Sequence, residues 1–269
     1  MSAPAVALLL PGMSLNATIF PDLPIPALSP SFSQFAPGTP GMEPYVSSLT
    51  ALTADAAWKE ARYRIVVGHS FGGMLALAWL LARPAAAATV HGLVLVGTTA
   101  GPMFGVVRLR VAWWRSHALR VGIRPFMPLW NGKRITRGLH RLLNGGAGNG
   151  TPVNFRALPH QDDIRVGLAG WQATGWQARR AFRGAMEGFD VRARLAEVAV
   201  PAIVLHGARD CYFPEATARA LAEGLPSGEL RVIPEAGHVL PLTHGVAVVR
   251  AVTDLLQTAG YSPASASSV

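Results

Sequence analysis

The sequence predicts an α/β fold in which a mostly parallel sheet is flanked by helices and carries one inserted helical cap. Three observations lead there. Apolar runs of strand length recur along the chain and empty into turns that open helices, the rhythm of a parallel sheet. One of these turns reads Gly68-His69-Ser70-Phe71-Gly72. The positive charge, finally, is gathered in a single segment, residues 101–190, which holds 14 Lys+Arg against 4 Asp+Glu, while the rest of the chain holds 10 against 11.

Val6-Ala7-Leu8-Leu9-Leu10 reads as the first strand and runs straight into Pro11-Gly12-Met13. The glycine lets backbone approach closely, so the Met13 N–H is a candidate donor to a developing oxyanion; taken alone, Pro-Gly also marks ordinary loops. Ile65-Val66-Val67 is the next strand, and the run Met-Leu-Ala-Leu-Ala-Trp-Leu-Leu-Ala after Gly73 is a helix. A serine in so tight a strand-to-helix turn has a strained backbone, which requires small residues two positions to either side; both are glycine. The turn lifts the Ser70 hydroxyl clear of the sheet, the helix points its positive end at it, and the Phe71 N–H becomes the second candidate oxyanion donor.

Leu93-Val-Leu-Val96 is a further strand, after which the basic insertion begins. Residues 106–121 read as a basic amphipathic helix with Trp113 and Trp114, residues 133–143 as a second, residues 144–151 as a glycine-rich loop, and residues 171–189 as a third helix returning to the core. Residues 1–100 and 191–257 are then the core, 101–190 the cap, and 258–269 a disordered tail of serine, alanine and proline.

Ala202-Ile203-Val204-Leu205 is a strand that ends in His206-Gly207-Ala208-Arg209-Asp210, which places a carboxylate where a loop can aim it at an imidazole. Asp210 is the candidate acid. Its other reading is a cap for a helix beginning near Pro214. Leu230-Arg-Val-Ile233 empties into Pro234-Glu235-Ala236-Gly237-His238, and His238 is the candidate base. Its main competitor, His244, is placed to start the last helix rather than to crown a strand. Serine, aspartate and histidine in this chain order can form a triad in which the histidine takes the serine proton and the aspartate fixes its tautomer.

With these motifs in place the chain resembles the α/β-hydrolase superfamily. Leu10-Pro11-Gly12-Met13-Ser14-Leu15-Asn16-Ala17 is similar to a stretch of pimeloyl-acyl-carrier-protein methyl ester esterases, while Gly-His-Ser-Phe-Gly-Gly and Leu-His-Gly-Ala-Arg-Asp match the wider esterase, lipase and perhydrolase group. The resemblance covers roughly residues 5–100 and 191–257 and implies an α/β-hydrolase fold. It further implies a cofactor-free serine hydrolase acting on a small acyl ester or thioester, through Ser70, His238 and Asp210 with the amides of Met13 and Phe71. The same residues would serve perhydrolase, haloperoxidase or C–C bond hydrolysis, and a non-catalytic binding protein can keep the fold. Serine at position 70 argues against the dehalogenase and epoxide hydrolase chemistries of this fold, which use an aspartate nucleophile. Three departures stand out. Pro11 replaces the usual histidine, the chain starts directly on the first strand without the family's opening hairpin, and residues 30–44 lack the usual Asp-x-x-Gly-x-Gly loop.

Half of the 269 residues are apolar, enough to bury one large core. One cysteine, Cys211, excludes an internal disulfide. The first residues lack a signal peptide's basic n-region, and no stretch approaches the ~20 apolar residues of a membrane span, so cytoplasm is the expected location. No metal-ligand cluster or phosphate-binding motif calls for a cofactor. The basic cap admits several readings: a solubilising surface, attachment to a membrane surface, or docking of an acidic carrier protein, for which Arg134, Arg137 and Arg141 are candidate contacts. Nucleic acid is set aside because no recognition motif accompanies the charge.

Overall fold

A strand whose residues are apolar throughout is covered on both faces, and β1 (Ala5–Leu10) is buried along its whole length. The computed structural model describes residues 4–13, 15–30, 41–102, 176–210 and 212–262. Over these, β1 joins β2 (Ala27–Leu28), β3 (Tyr63–His69), β4 (Gly92–Val96), β5 (Ala202–Gly207) and β6 (Gly228–Ile233) in one sheet of order β2-β1-β3-β4-β5-β6. Every pairing is parallel.

Because side chains alternate across a strand, the sheet sorts its apolar residues into two cores. Leu8, Leu10, Val66, Leu93 and Val204 face one side, where they meet α1 (Glu43–Leu52), α2 (Ala56–Glu60), α3 (Phe71–Ala82), α5 (Trp176–Glu187) and α6 (Glu215–Gly224). Ala7, Leu9, Val67, Val94 and Leu205 face the other, covered chiefly by α8 (Gly245–Thr258) and Leu240 of α7 (Leu240–Thr243). The short α4 (Pro84–Ala87) caps the end of α3. Both sides of α3 are enclosed, which its near-continuous apolar sequence dictates.

The order of the strands positions the site. From β1 the chain moves outward to β2 on one side and then crosses to β3 on the other, so chain direction diverges between β1 and β3. In open α/β sheets the crevice beyond the carboxyl ends of two such strands is where ligands bind. Those ends carry Pro11-Gly12-Met13 and Ser70.

Some expectations from sequence need correction. The tail does not begin at residue 258: α8 runs through Thr258, the Tyr63 hydroxyl donates to the Gly260 carbonyl (3.1 Å), and Tyr261 packs edge-on against Tyr63 at 5.4 Å. An aromatic anchor in a polar segment is enough to order it to residue 262; residues 263–269 lie outside the described residues. The two-residue edge strand β2 was not foreseen. Within residues 171–189, where a third helix is expected, α5 spans Trp176–Glu187. The other expected cap helices, the glycine-rich loop, and Arg134, Arg137 and Arg141 lie outside the described residues, as do Cys211 and residues 31–40. In the segment 30–44, whose path the sequence left open, residues 43 and 44 begin α1, with Pro44 in its first turn, where proline is tolerated.

Candidate active site

The elbow is built by close backbone contacts. Ser70 has φ 52° and ψ −117°, and among the described residues no other non-glycine residue has positive φ. Such a conformation costs about 1–3 kcal/mol and persists only where the surroundings over-determine it. Here the Ser70 N–H donates to the Val96 carbonyl (2.9 Å), and the buried Thr98 hydroxyl donates to the Ser70 carbonyl (2.7 Å). A Cβ on Gly68 would sit 2.7 Å from the Gly72 carbonyl oxygen, one on Gly73 2.6 Å from the Thr98 side chain, and one on Gly72 inside the Leu10 carbonyl. The glycines are therefore what lets β1, β3 and α3 meet at one point.

Asp210 and His238 arrive from the ends of β5 and β6. His238 Nδ1–H donates to Asp210 Oδ2 (2.8 Å), which leaves the Nε2 lone pair facing the Ser70 hydroxyl at 3.1 Å. The other carboxylate oxygen, Oδ1, accepts from the backbone N–H groups of Tyr212 (2.7 Å) and Phe213 (3.0 Å). The two readings of Asp210 thus fall on its two oxygens: one holds the turn ahead of α6, whose N-cap position is Pro214, and the other holds His238. The Asp210 side chain is fully enclosed. Burial alone would raise its pKa, but His238, the Phe213 N–H and His206 together outweigh that and hold it below the ordinary aspartate value. The rings of Tyr212 and Phe213 pack against His238 at 4.5 and 5.6 Å.

Sequence reasoning missed Gly97 and Thr98. Gly97 has φ 51°, and a Cβ there would lie 3.2 Å from the His238 carbonyl oxygen and 3.4 Å from Asp210 Oδ2. A glycine directly after the strand Leu93–Val96 was the signal available. His244 takes the place expected of it, the N-cap position of α8, where Nδ1 pairs with the Thr243 hydroxyl (2.8 Å).

On the β1 side, Leu15 N–H closes a turn onto the Gly12 carbonyl (3.1 Å) and holds Met13 at its corner. Gly12 packs against the elbow: a Cβ on it would be 3.2 Å from Ser70 Cβ. Asn16 then caps the following 3-10 turn through Thr18 N–H (3.0 Å). Phe71 is the first residue of α3, so its amide points out of the helix's positive end. Its side chain lies in an aromatic trio with Tyr45 of α1 and Phe182 of α5, each ring centroid 5.0 Å away. Burial pushes the Tyr45 hydroxyl up to about 12, so it stays protonated. Through Phe182, α5 rests on the residue next to Ser70. Among the described residues no cluster of His, Cys, Asp or Glu could hold a metal ion, and no helix is long and apolar enough to cross a membrane.

A strained serine on a strand-to-helix turn, met by a histidine and a buried aspartate from later strands, is matched by comparison with known families. The alpha/beta hydrolase family model covers residues 7–251. The chain belongs to the alpha/beta hydrolase family. This hydrolase is 29% identical over 195 residues to the pimeloyl-[acyl-carrier protein] methyl ester esterase of Chromobacterium violaceum, a match covering 72% of this chain and 70% of that one. It is also 29% identical over 201 residues to 2-hydroxymuconate semialdehyde hydrolase of Pseudomonas putida, covering 72% of this chain but 62% of that longer relative. Among solved structures, Est816, described as an N-acyl homoserine lactone degrading enzyme, superposes with a TM-score of 0.69 at 20% identity over 94% of this chain and 93% of that one. A thermophilic esterase from Thermogutta terrifontis gives 0.64 at 22% identity over 96% and 92%. Those two likenesses establish the fold of this alpha/beta hydrolase.

Proposed function

We propose that the protein is a serine hydrolase that cleaves a carboxylic ester or thioester through an acyl-enzyme. The observation that carries this reading is the unbroken hydrogen-bonded line from Ser70 Oγ through His238 to Asp210 Oδ2, at 3.1 and 2.8 Å. His238 Nε2 takes the Ser70 proton as Oγ attacks the carbonyl carbon, and the carbonyl π electrons move to oxygen. The amides of Met13 and Phe71 hold that oxyanion. As the tetrahedral intermediate collapses, His238 returns the proton to the departing alkoxide or thiolate. Water, deprotonated by His238, then releases the acid and restores Ser70. Asp210, held ionised, keeps the Nδ1–H tautomer throughout.

Residues 101–190 form the cap, and its basic face docks an acidic acyl carrier protein through Arg134, Arg137 and Arg141. The named activity of the Chromobacterium relative and the charge of the segment both favour this. C–C bond hydrolysis by the same residues is the second reading, favoured by the identity to a hydrolase whose named substrate is not an ester.

The test is hydrolysis of p-nitrophenyl esters from C2 to C12, with and without acyl carrier protein, alongside labelling by a serine-directed fluorophosphonate. Ester turnover with the label on Ser70 is the expected result. Turnover with the label elsewhere, or none on any ester, would defeat the reading, and competition by carrier protein on long esters supports the docking face.

A further inference from the structure

His69 is fully enclosed, and the role it plays is not explained by packing. Its Nε2–H donates to the backbone carbonyl of His238 (3.0 Å), the residue 169 positions away that abstracts the serine proton in the reading above. Its other nitrogen, Nδ1, has no hydrogen-bond partner. Burial, reinforced by the neighbouring His238, pushes the ring's pKa down to about 3, so it is neutral and carries a single N–H.

A buried acceptor left unpaired is destabilising, and an apolar side chain of similar size would avoid that cost. Stability is therefore a poor reason for an imidazole at this place. What the ring supplies is a donor on a rigid mount. His69 is the last residue of β3, paired in register with Val96 of β4, and its backbone leads directly into Ser70. Its opposite edge bears on the oxyanion turn, since a Cβ on Gly12 would lie 3.0 Å from Nδ1 and 3.3 Å from Cε1. One ring thus touches the turn that carries Met13 and grips the loop that carries His238.

We propose that His69 is a positioning residue for the proton transfer: its Nε2–H, fixed to the strand that ends in Ser70, holds the His238 carbonyl and so sets the distance from His238 Nε2 to the Ser70 hydroxyl. The inference rests on the Ser70, His238 and Asp210 reading. A loop freed by this bond's loss misplaces His238 Nε2, and displacement by about 1 Å can cost on the order of 100-fold in rate.

The test compares His69→Met with His69→Gln, unbranched side chains of similar length of which glutamine alone keeps a donor amide. His69→Met is expected to lower kcat on the best p-nitrophenyl ester by about 10- to 100-fold with KM within about twofold, and to slow fluorophosphonate labelling of Ser70 in proportion. His69→Gln should recover most of both rates. The downfield proton NMR resonance of the His238–Asp210 hydrogen bond should stay sharp in the glutamine variant and broaden or shift in the methionine one. Equal rates in the two variants, or a change confined to KM, would overturn the proposal. Should Ser70→Ala retain wild-type turnover, the triad reading itself falls; an inactive Ser70→Ala beside a fully active His69→Met sinks this inference alone.

Discussion

The two halves of the site are held by different physics. At the ends of β1 and β3 backbone rests on backbone: Gly72 lies against the Leu10 carbonyl, Gly68 against the first turn of α3, and Ser70 is forced to positive φ between them. At the ends of β5 and β6 one backbone approach is comparably close, Gly207 against the Ala236 carbonyl, but the chemistry there is reached by side chains. The loops are clipped by Arg209 N–H to the Ala236 carbonyl (3.0 Å) and by an ion pair between Arg209 and Glu235, and Asp210 spends both oxygens holding its own turn and His238. Ser70 is thus placed chiefly by excluded volume, which no solvent condition relaxes. Its partners are placed by hydrogen bonds and charge, which chemistry and pH can change.

The sharpest way to break this comparison is to remove the reacting atoms. Ser70→Ala and His238→Ala should each reduce ester turnover by on the order of 10⁶, and by similar factors, because a triad acts as a unit. Circular dichroism should show both variants folded. A second serine taking the fluorophosphonate in Ser70→Ala would locate the nucleophile elsewhere. Asp210→Asn comes next. It keeps the volume and the Oδ1 contacts but no longer enforces the Nδ1–H tautomer, so turnover should fall by on the order of 10⁴, by analogy with the same change in a serine protease triad. Near-normal turnover would mean another group orients His238.

A pair of glycine substitutions separates the halves directly. Gly72→Ala drives a methyl group into the Leu10 carbonyl, between backbones that have nowhere to move, and should cost about 4 kcal/mol or more, read as little or no folded protein. Gly97→Ala meets the His238 carbonyl at 3.2 Å and sits at φ 51°, so it should cost only about 1–2 kcal/mol. Its main effect should be a displaced His238 loop and a fall in kcat of on the order of 100-fold. Equal stability losses in the two variants, measured by urea unfolding, would erase the distinction.

What the sequence disclosed follows the same division. The elbow was legible because excluded volume writes itself locally: glycines at fixed offsets around Ser70, an apolar strand before and an apolar helix after. Asp210 and His238 were legible as polar residues just past apolar runs. Gly97 and Thr98 were passed over because their partners, His238 and the Ser70 carbonyl, lie far off in the chain, so no local pattern marks them. His69 was read as part of the elbow, and its grip on a carbonyl 169 residues away has no local signature either. The edge strand β2 is two residues of Ala-Leu beside prolines, too short for any periodicity. The expected start of the tail falls too early because α8 continues through Thr258 and Tyr261 packs on Tyr63, a partner 198 positions back that composition does not announce.

The smallest expected effect is on pH, and it bears on the residue that spans both halves. His69 has a pKa near 3 in the fold, against about 6.5 for the unfolded chain. The unfolded state therefore binds a proton that the folded state refuses, so stability rises with pH wherever that difference exists. The contribution is complete above about pH 6.5 and is lost progressively as pH falls toward about 3, at roughly 1.4 kcal/mol per pH unit. His91 and His206 are also shifted downward by burial and act in the same sense, whereas Asp210, held below the ordinary aspartate value of about 3.9, contributes its change only below that pH. Isolating His69 requires a difference between variants. Between pH 7.5 and 5 the unmodified protein should lose about 2 kcal/mol more stability than His69→Gln, read from urea midpoints at the two pH values. Parallel losses in the two proteins would mean that His69 takes up its proton inside the fold, that its ring is not sealed between the Gly12 turn and the His238 loop, and that the Ser70 half of the site is as open to solvent conditions as the half that carries Asp210 and His238.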